Sequence, residues 1–269
     1  MLATRVVVFD QESAGREAIV RALEKDPRLQ VVASAGTVRE ALRQIEAHNP
    51  KVLVIADRLP GVRGLALTSA LRRQLPRVGV VLLVERFDID ASVAAVEADA
   101  AGLIWRRMPE EELLQTVRAV AKDANPVHER AMAEPEIMAQ LLAGFRAGFA
   151  DDLTVSRYDP GVSLHLLGVL DEVVRGMTTH EMSEEENTSE RTVKRNVSTL
   201  MAVLGVRDRM GIVREAVLHD WVAIGPEATE YRPPWQPVGQ HGAAENWQEN
   251  PPALFGMTTG GWLPTPDQA

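Results

Sequence analysis

Short apolar runs and amphipathic stretches alternate through the first 123 residues. The runs are Arg5–Phe9, Gln30–Ser34, Val52–Ala56, Val78–Val84 and Gly102–Trp105. They are rich in β-branched residues and almost unbroken by polar ones, the pattern of strands buried on both faces. The intervening stretches follow a helical period. In Glu110–Lys122, Leu113, Leu114, Val117, Val120 and Ala121 fall on one stripe. Five strands alternating with helices predict an α/β doubly wound five-stranded parallel sheet. In such sheets a site forms at the carboxyl ends of the strands, where Asp10, Ala56, Val84 and Arg106 fall.

The pattern changes after residue 123. Residues 124–160 read as a linker with one helix, carried by Ile137, Leu141, Leu142, Phe145 and Phe149. Asp159-Pro160-Gly161 reads as a turn. Residues 161–225 read as an all-helical segment. Within it Thr178 and Glu181 make a capping box, and Ser189 is an N-cap for the next helix. Val193, Val197, Leu200, Met201 and Leu204 form one face of that helix, with Arg191, Arg195 and Ser198 opposite and Lys194 on the flank. The tail, 226–269, holds eight of the 16 prolines and is predicted to be largely irregular. Its Tyr231, Trp235, Trp247, Phe255 and Trp262 either dock into a partner or onto the body, or are incidental to a solvated extension.

Composition narrows the chemistry. The chain has no cysteine, which excludes disulfides, thiolate catalysis and cysteine-ligated metals. No signal peptide and no apolar run long enough for a membrane span is evident, so a cytoplasmic location with no membrane partner is expected. Net charge is −9. Residues 160–225 hold 7 Lys/Arg against 10 Asp/Glu. Binding to nucleic acid would therefore rest on a local basic patch.

The motif "ADRLPGVRG" around Pro60-Gly61, together with "TVKRNV", "LGVRDR" and "IVREAVLHDWV", resembles the NarL/LuxR class of response regulators over about residues 4–225. The resemblance implies a receiver domain (1–123), a linker (124–160) and a LuxR-type helix-turn-helix domain (161–225). It also marks where the receiver departs from its family. Ala56 stands at the aspartate nucleophile, and an acyl phosphate needs a carboxylate there. Asp10 matches the first of two metal-holding acids and Gln11 replaces the second. Val84 stands where Thr or Ser is expected, Arg106 where lysine is expected, and Leu103 where the aromatic switch residue is expected. No metal or cofactor follows from this set, since magnesium wants several hard oxygen ligands. Asp57 and Glu12 read as solvated loop acids, with Asp57 aimed away from the pocket by strand alternation. Asp10 and Arg106, stripped of their usual neighbours, are expected to pair, an unpaired buried charge being costly.

By the same resemblance Lys194, Arg195 and Ser198, with Thr192 beside them, fall where family members touch bases or nearby phosphates. Arg191, Arg207 and Arg209 fall at phosphate-contact positions. The alternative for this face is a solvated basic helix. Ser183 and Glu186 occupy positions where the family buries small or aliphatic residues, and Glu184, Glu185 and Glu186 bring negative charge towards the expected DNA backbone. The functional expectation is a non-enzymatic, homodimeric regulator that binds double-stranded DNA and acts without aspartyl phosphorylation. Its receiver would serve dimerisation or sense a protein partner or small-molecule ligand. The alternative is a protein-binding adaptor using the acidic helix and aromatic tail.

Overall fold

The computed structural model describes residues 3–148 and 156–222. The tail aromatics named above lie outside the described residues. Strands β1 (Thr4–Phe9), β2 (Leu29–Ala35), β3 (Val52–Ala56), β4 (Gly79–Val84) and β5 (Gly102–Trp105) form one parallel sheet in the order β2-β1-β3-β4-β5. Each strand lies within about a residue of its apolar run. Val52, Leu53, Val54, Ile55 and Ala56 are all buried, which is why this run shows no alternation.

Helices α1 (Ser13–Glu24), α2 (Val38–His48), α3 (Gly64–Gln74), α4 (Ile89–Glu97) and α5 (Glu110–Ala121) cover the sheet. Their starts are written locally. The Thr37 side chain accepts from Glu40 N at 3.2 Å and Asp88 accepts from Ala91 N at 2.9 Å. The carboxyl ends of β1, β3, β4 and β5 bring Asp10, Ala56, Val84 and Arg106 to one edge of the sheet, as the alternation predicts.

The segment after α5 departs from the one-helix expectation. It contains α6 (Pro126–Ala133) as well as α7 (Pro135–Gly148). Asn125 caps α6 by accepting from His128 N at 3.0 Å, and Pro126 fits the first turn, where its missing N–H costs nothing. These helices do not hang free. Ala131, Ile137 and Leu141 are buried against Ile89, Val93 and Val96. Arg130 lies over the Phe87 ring at 3.9 Å, and Phe87 packs on Trp105. Ile137 and Leu141 of α7 thus cover α4.

Helices α8 (Leu164–Val174), α9 (Thr179–Glu185), α10 (Glu190–Val203) and α11 (Arg209–Leu218) make the second part. The capping box forms: Thr178 N donates to Glu181 Oε2 at 2.7 Å and Glu181 N to Thr178 Oγ1 at 3.2 Å. Ser189 caps α10 by accepting from Thr192 N. The Asp159 turn closes through Gly161 N donating to Asp159 Oδ1 at 2.9 Å, with Gly161 at φ +69°. A single buried apolar cluster runs from the sheet through α2 and α3 into Leu167, Leu170, Val193, Leu200 and Ile212. The helical part is therefore docked on the sheet domain rather than strung from it. Among the described residues no helix is long and apolar enough to cross a membrane.

Candidate functional site

The strand-end pocket is built around one guanidinium. Asp10 is completely buried. Arg106 donates to both its oxygens, Nη1 to Oδ2 at 2.7 Å and Nη2 to Oδ1 at 3.1 Å. The expected Asp10–Arg106 pair is present. The same guanidinium pairs with Glu85 through Nε and with Glu12 through Nη1 at 3.1 Å. Glu12 is solvated, as expected from sequence, with over half of its side chain exposed, and it lends one oxygen to Arg106 as well. Gly15 at the start of α1 makes room, since a Cβ there would lie 2.6 Å from Arg106 Nη1. Bonding to Asp10 raises the Arg106 pKa above its usual value against the opposing effect of burial, so its charge is permanent.

This corner does not fit the magnesium site of a phosphorylatable receiver. Both oxygens of Asp10 accept from Arg106, Gln11 is exposed, and Ala56 offers a buried methyl. Octahedral magnesium needs oxygens that these residues do not leave available.

Asp57 corrects the sequence reading. It is not a solvated loop acid: its side chain is only 14% exposed. Oδ2 accepts from Arg63 Nη2 at 2.7 Å and Oδ1 from Leu65 N at 3.2 Å. Arg63 bridges onward to Asp220 beyond α11. Burial disfavours the Arg63 charge, yet Asp57 and Asp220 more than offset that and raise its pKa. Asp57 and Val84 line a cavity of about 340 Å³ floored by Leu65 and Leu82 and walled by Tyr158. Asp10 and Arg106 do not border it. Leu103 is buried in the cluster beside this cavity.

The face of α10 is laid out as its periodicity predicts. Val193 and Leu200 are fully buried, while Val197, Met201 and Leu204 pack against the core. Arg191, Lys194, Arg195 and Ser198 are exposed, Thr192 is half-buried, and Arg207 is exposed just beyond the helix. Lys194 makes only a loose pair with Glu190 at 3.6 Å, worth little on an exposed helix face. Arg209 differs from expectation. It turns inward and donates to the Met177 carbonyl and towards Met182 Sδ, and burial lowers its pKa. It ties α11 to the turn before α9 rather than facing out with Arg207.

The acidic run at the end of α9 also differs. Glu186 is inside, with a side chain 7% exposed, accepting from Arg39 of α2. The Glu185 carbonyl accepts from Arg43 of α2 at 2.9 Å, and its side chain lies near Arg175. Glu184 alone of the three keeps a mostly exposed side chain, near His180. Ser183 is buried, its hydroxyl donating to the His180 carbonyl at 2.7 Å. The polar residues at core positions are thus satisfied rather than exposed.

Sequence reasoning missed the residues that join the two parts. Arg39 Nε donates to Glu172 Oε1 at 2.8 Å, in a buried pair. Asp171 accepts from Val62 N at 3.0 Å and pairs with Arg175. Arg63 N donates to the Trp221 carbonyl at 2.7 Å, and Trp221 Nε1 to the Arg157 carbonyl. Arg73 holds Asp159 and the Val162 carbonyl. Burial raises the Asp171 and Glu172 carboxyls, Glu172 to about 7, with Arg175 and Arg39 respectively pulling the other way. A signal existed. Arg39 lies among Val38, Ala41 and Ile45 on the apolar stripe of α2, and Asp171-Glu172 interrupts the otherwise apolar α8.

Residues 6–118 match the family described as response regulator receiver domain, and residues 167–216 match bacterial regulatory proteins of the luxR family. The DNA-binding transcriptional activator DevR/DosR of Mycobacterium tuberculosis is 31% identical over 210 residues, covering 76% of this chain and 90% of that protein. The transcriptional regulatory protein NarL of the same species is 31% identical over 215 residues, covering 79% and 93%. The solved receiver domain of Mycobacterium tuberculosis NarL is 30% identical, covering 45% of this chain and 98% of that one, with a TM-score of 0.43. With a receiver sheet, a luxR-type helical domain and relatives matched along nearly their whole length, this chain belongs to the response-regulator family as a DNA-binding transcriptional regulator.

Proposed function

We propose that this regulator works without aspartyl phosphorylation and is not an enzyme. The observation that carries the reading is the Arg106 guanidinium seated on both oxygens of Asp10, beside the buried methyl of Ala56. An aspartyl phosphate requires a nucleophilic carboxylate and a metal-bound phosphoryl group. Here a permanent internal cation takes the place of the metal, and no carboxylate occupies the nucleophile position. Asp57, the nearest acid in sequence, is committed to Arg63.

DNA is read by the exposed face of α10. Lys194, Arg195 and Ser198 reach base edges and nearby phosphates, while Arg191 and Arg207 hold the backbone. The protein acts in the cytoplasm as a homodimer, and its receiver serves assembly or senses a ligand or partner. The test pairs two measurements. The chain is incubated with acetyl phosphate, or with beryllofluoride and magnesium, and its intact mass, peptide map and DNA affinity are followed. Unchanged mass and affinity are expected. An adduct on Asp57 or Asp10, or tighter DNA binding on treatment, would overturn phosphorylation independence. Absence of any salt-sensitive DNA retention would favour the adaptor reading instead.

A further inference from the structure

The end of α9 presents a problem that the structure resolves from outside the DNA-binding domain. In a helix-turn-helix the helix before the recognition helix crosses the DNA backbone. Here that helix ends in Glu184, Glu185 and Glu186. Carboxylates beside phosphates repel them and weaken association most at low salt. One of these carboxylates, that of Glu186, is taken up by an arginine of receiver helix α2, and a second arginine of α2 holds the backbone at Glu185. Arg39 pairs with Glu186 and Glu172 together, and Arg43 donates to the Glu185 carbonyl. The Arg39 side chain is only 10% exposed. It can lie this close to α8 because position 168 is glycine: a Cβ there would lie 3.1 Å from Arg39 Cζ. The outward face of α10, with Arg191, Lys194, Arg195 and Ser198, stays exposed in this same docked arrangement.

We propose that Arg39 and Arg43 are accessory determinants of DNA binding: from the receiver they neutralise the acidic end of α9, so the docked receiver strengthens DNA binding instead of masking it. Without Arg39, the Glu186 carboxylate is left uncompensated inside the domain that must approach DNA. With it, that one charge is offset and the Glu186 side chain is held in place. Arg43 adds a second positive charge at the same edge. Docking and reading are then compatible states, with the receiver as a structural part of the DNA-binding surface. The proposal rests on reading through α10, and the experiment separates the two.

The full-length chain is titrated into a fluorescein-labelled mixed-sequence DNA duplex and followed by anisotropy at low and high salt. Arg39→Gln is expected to weaken low-salt binding severalfold, through the one carboxylate left uncompensated. The loss should shrink as salt screens the charges. Adding Glu186→Gln to Arg39→Gln should restore most of the affinity. Arg43→Gln, at an exposed position, should give a smaller loss of the same salt dependence. It decides the matter if Arg39→Gln fails to fold by circular dichroism. Tighter binding by Arg39→Gln would show the dock to be a gate and overturn the proposal. So would a loss that Glu186→Gln does not restore, or unchanged affinity in Arg43→Gln where Arg39→Gln does not fold. Lys194→Ala/Arg195→Ala serves as the reference. Unchanged affinity in that variant sinks the α10 reading whatever the α2 variants do.

Discussion

Arg106→Met removes the one cation that holds three carboxylates. Asp10 is fully buried, and three donors reach its side chain: two from Arg106, and Glu12 N to Oδ1 at 3.1 Å. Breaking a buried ion pair by deleting one partner costs about 3–5 kcal/mol. Two features reduce that here. The Glu12 N–H remains to solvate Asp10, and one fifth of the Arg106 side chain already reaches solvent. About 2–3 kcal/mol is the resulting estimate. Asp10→Asn should cost less, about 1 kcal/mol, because Glu12 and Glu85 still face the guanidinium and lie nearer water. The double variant should cost about 1–2 kcal/mol less than the sum, since removing the second partner relieves the charge left by the first. Thermal unfolding followed by circular dichroism measures this. At roughly 2–4 °C per kcal/mol for a chain of this size, Arg106→Met should lower Tm by about 4–12 °C. Additive effects, within about 0.5 kcal/mol, would refute the pair as the organiser of the pocket.

Other outcomes follow from the dock and from the exposed face of α10. Lys194→Ala and Arg195→Ala should each weaken a specific site by about 1–3 kcal/mol where the contact is to a base. Arg207→Ala should weaken all sequences alike, which anisotropy against specific and mixed duplexes separates. A Cβ at Gly61 would lie 2.3 Å from Asp171 Oδ1 and 3.0 Å from the Asp171 carbonyl. Gly61→Ala should therefore cost about 1–3 kcal/mol by overpacking and raise amide exchange at Val62 and around Trp221. Burial lifts Glu172 from 4.5 to about 7, so the folded chain holds a proton there that the unfolded chain has released. That contribution is fully present below pH 4.5 and is lost as pH rises through about 7. Tm should fall between about pH 4.5 and about pH 7 in the wild type, level off above that, and fall less in Glu172→Gln.

Much of the molecule is local chemistry and was legible as such. The strands are near-continuous β-branched runs, and the caps at Thr178 and Ser189 form as their spacing implies. The α10 stripe faces the core where its period places it. The Asp10–Arg106 pair followed from counting which charges the pocket retains. In each case the decisive interaction lies within a few residues or at a strand end fixed by topology. The second linker helix was also local, written in Asn125-Pro126, but its short apolar pattern needed α4 as a partner to stand out.

What the tertiary structure decided was the fate of charges. Sequence assigns a residue a type and a face, whereas its energy depends on what packs against that face from far along the chain. Asp57 looked solvated until Arg63, itself tied to Asp220, closed over it. Arg209 looked like a phosphate contact until the Met177 carbonyl claimed it. Glu186 looked like an obstacle to DNA until Arg39, 147 residues away, paired with it. The chain's own pattern determined a receiver sheet with an altered pocket and a helix with a basic face. Only the docking of the two, through Arg39, Asp171 and the loop at Gly61, determined that Glu186 faces inward while the outward face of α10 stays open, because burial forces distant opposite charges to meet.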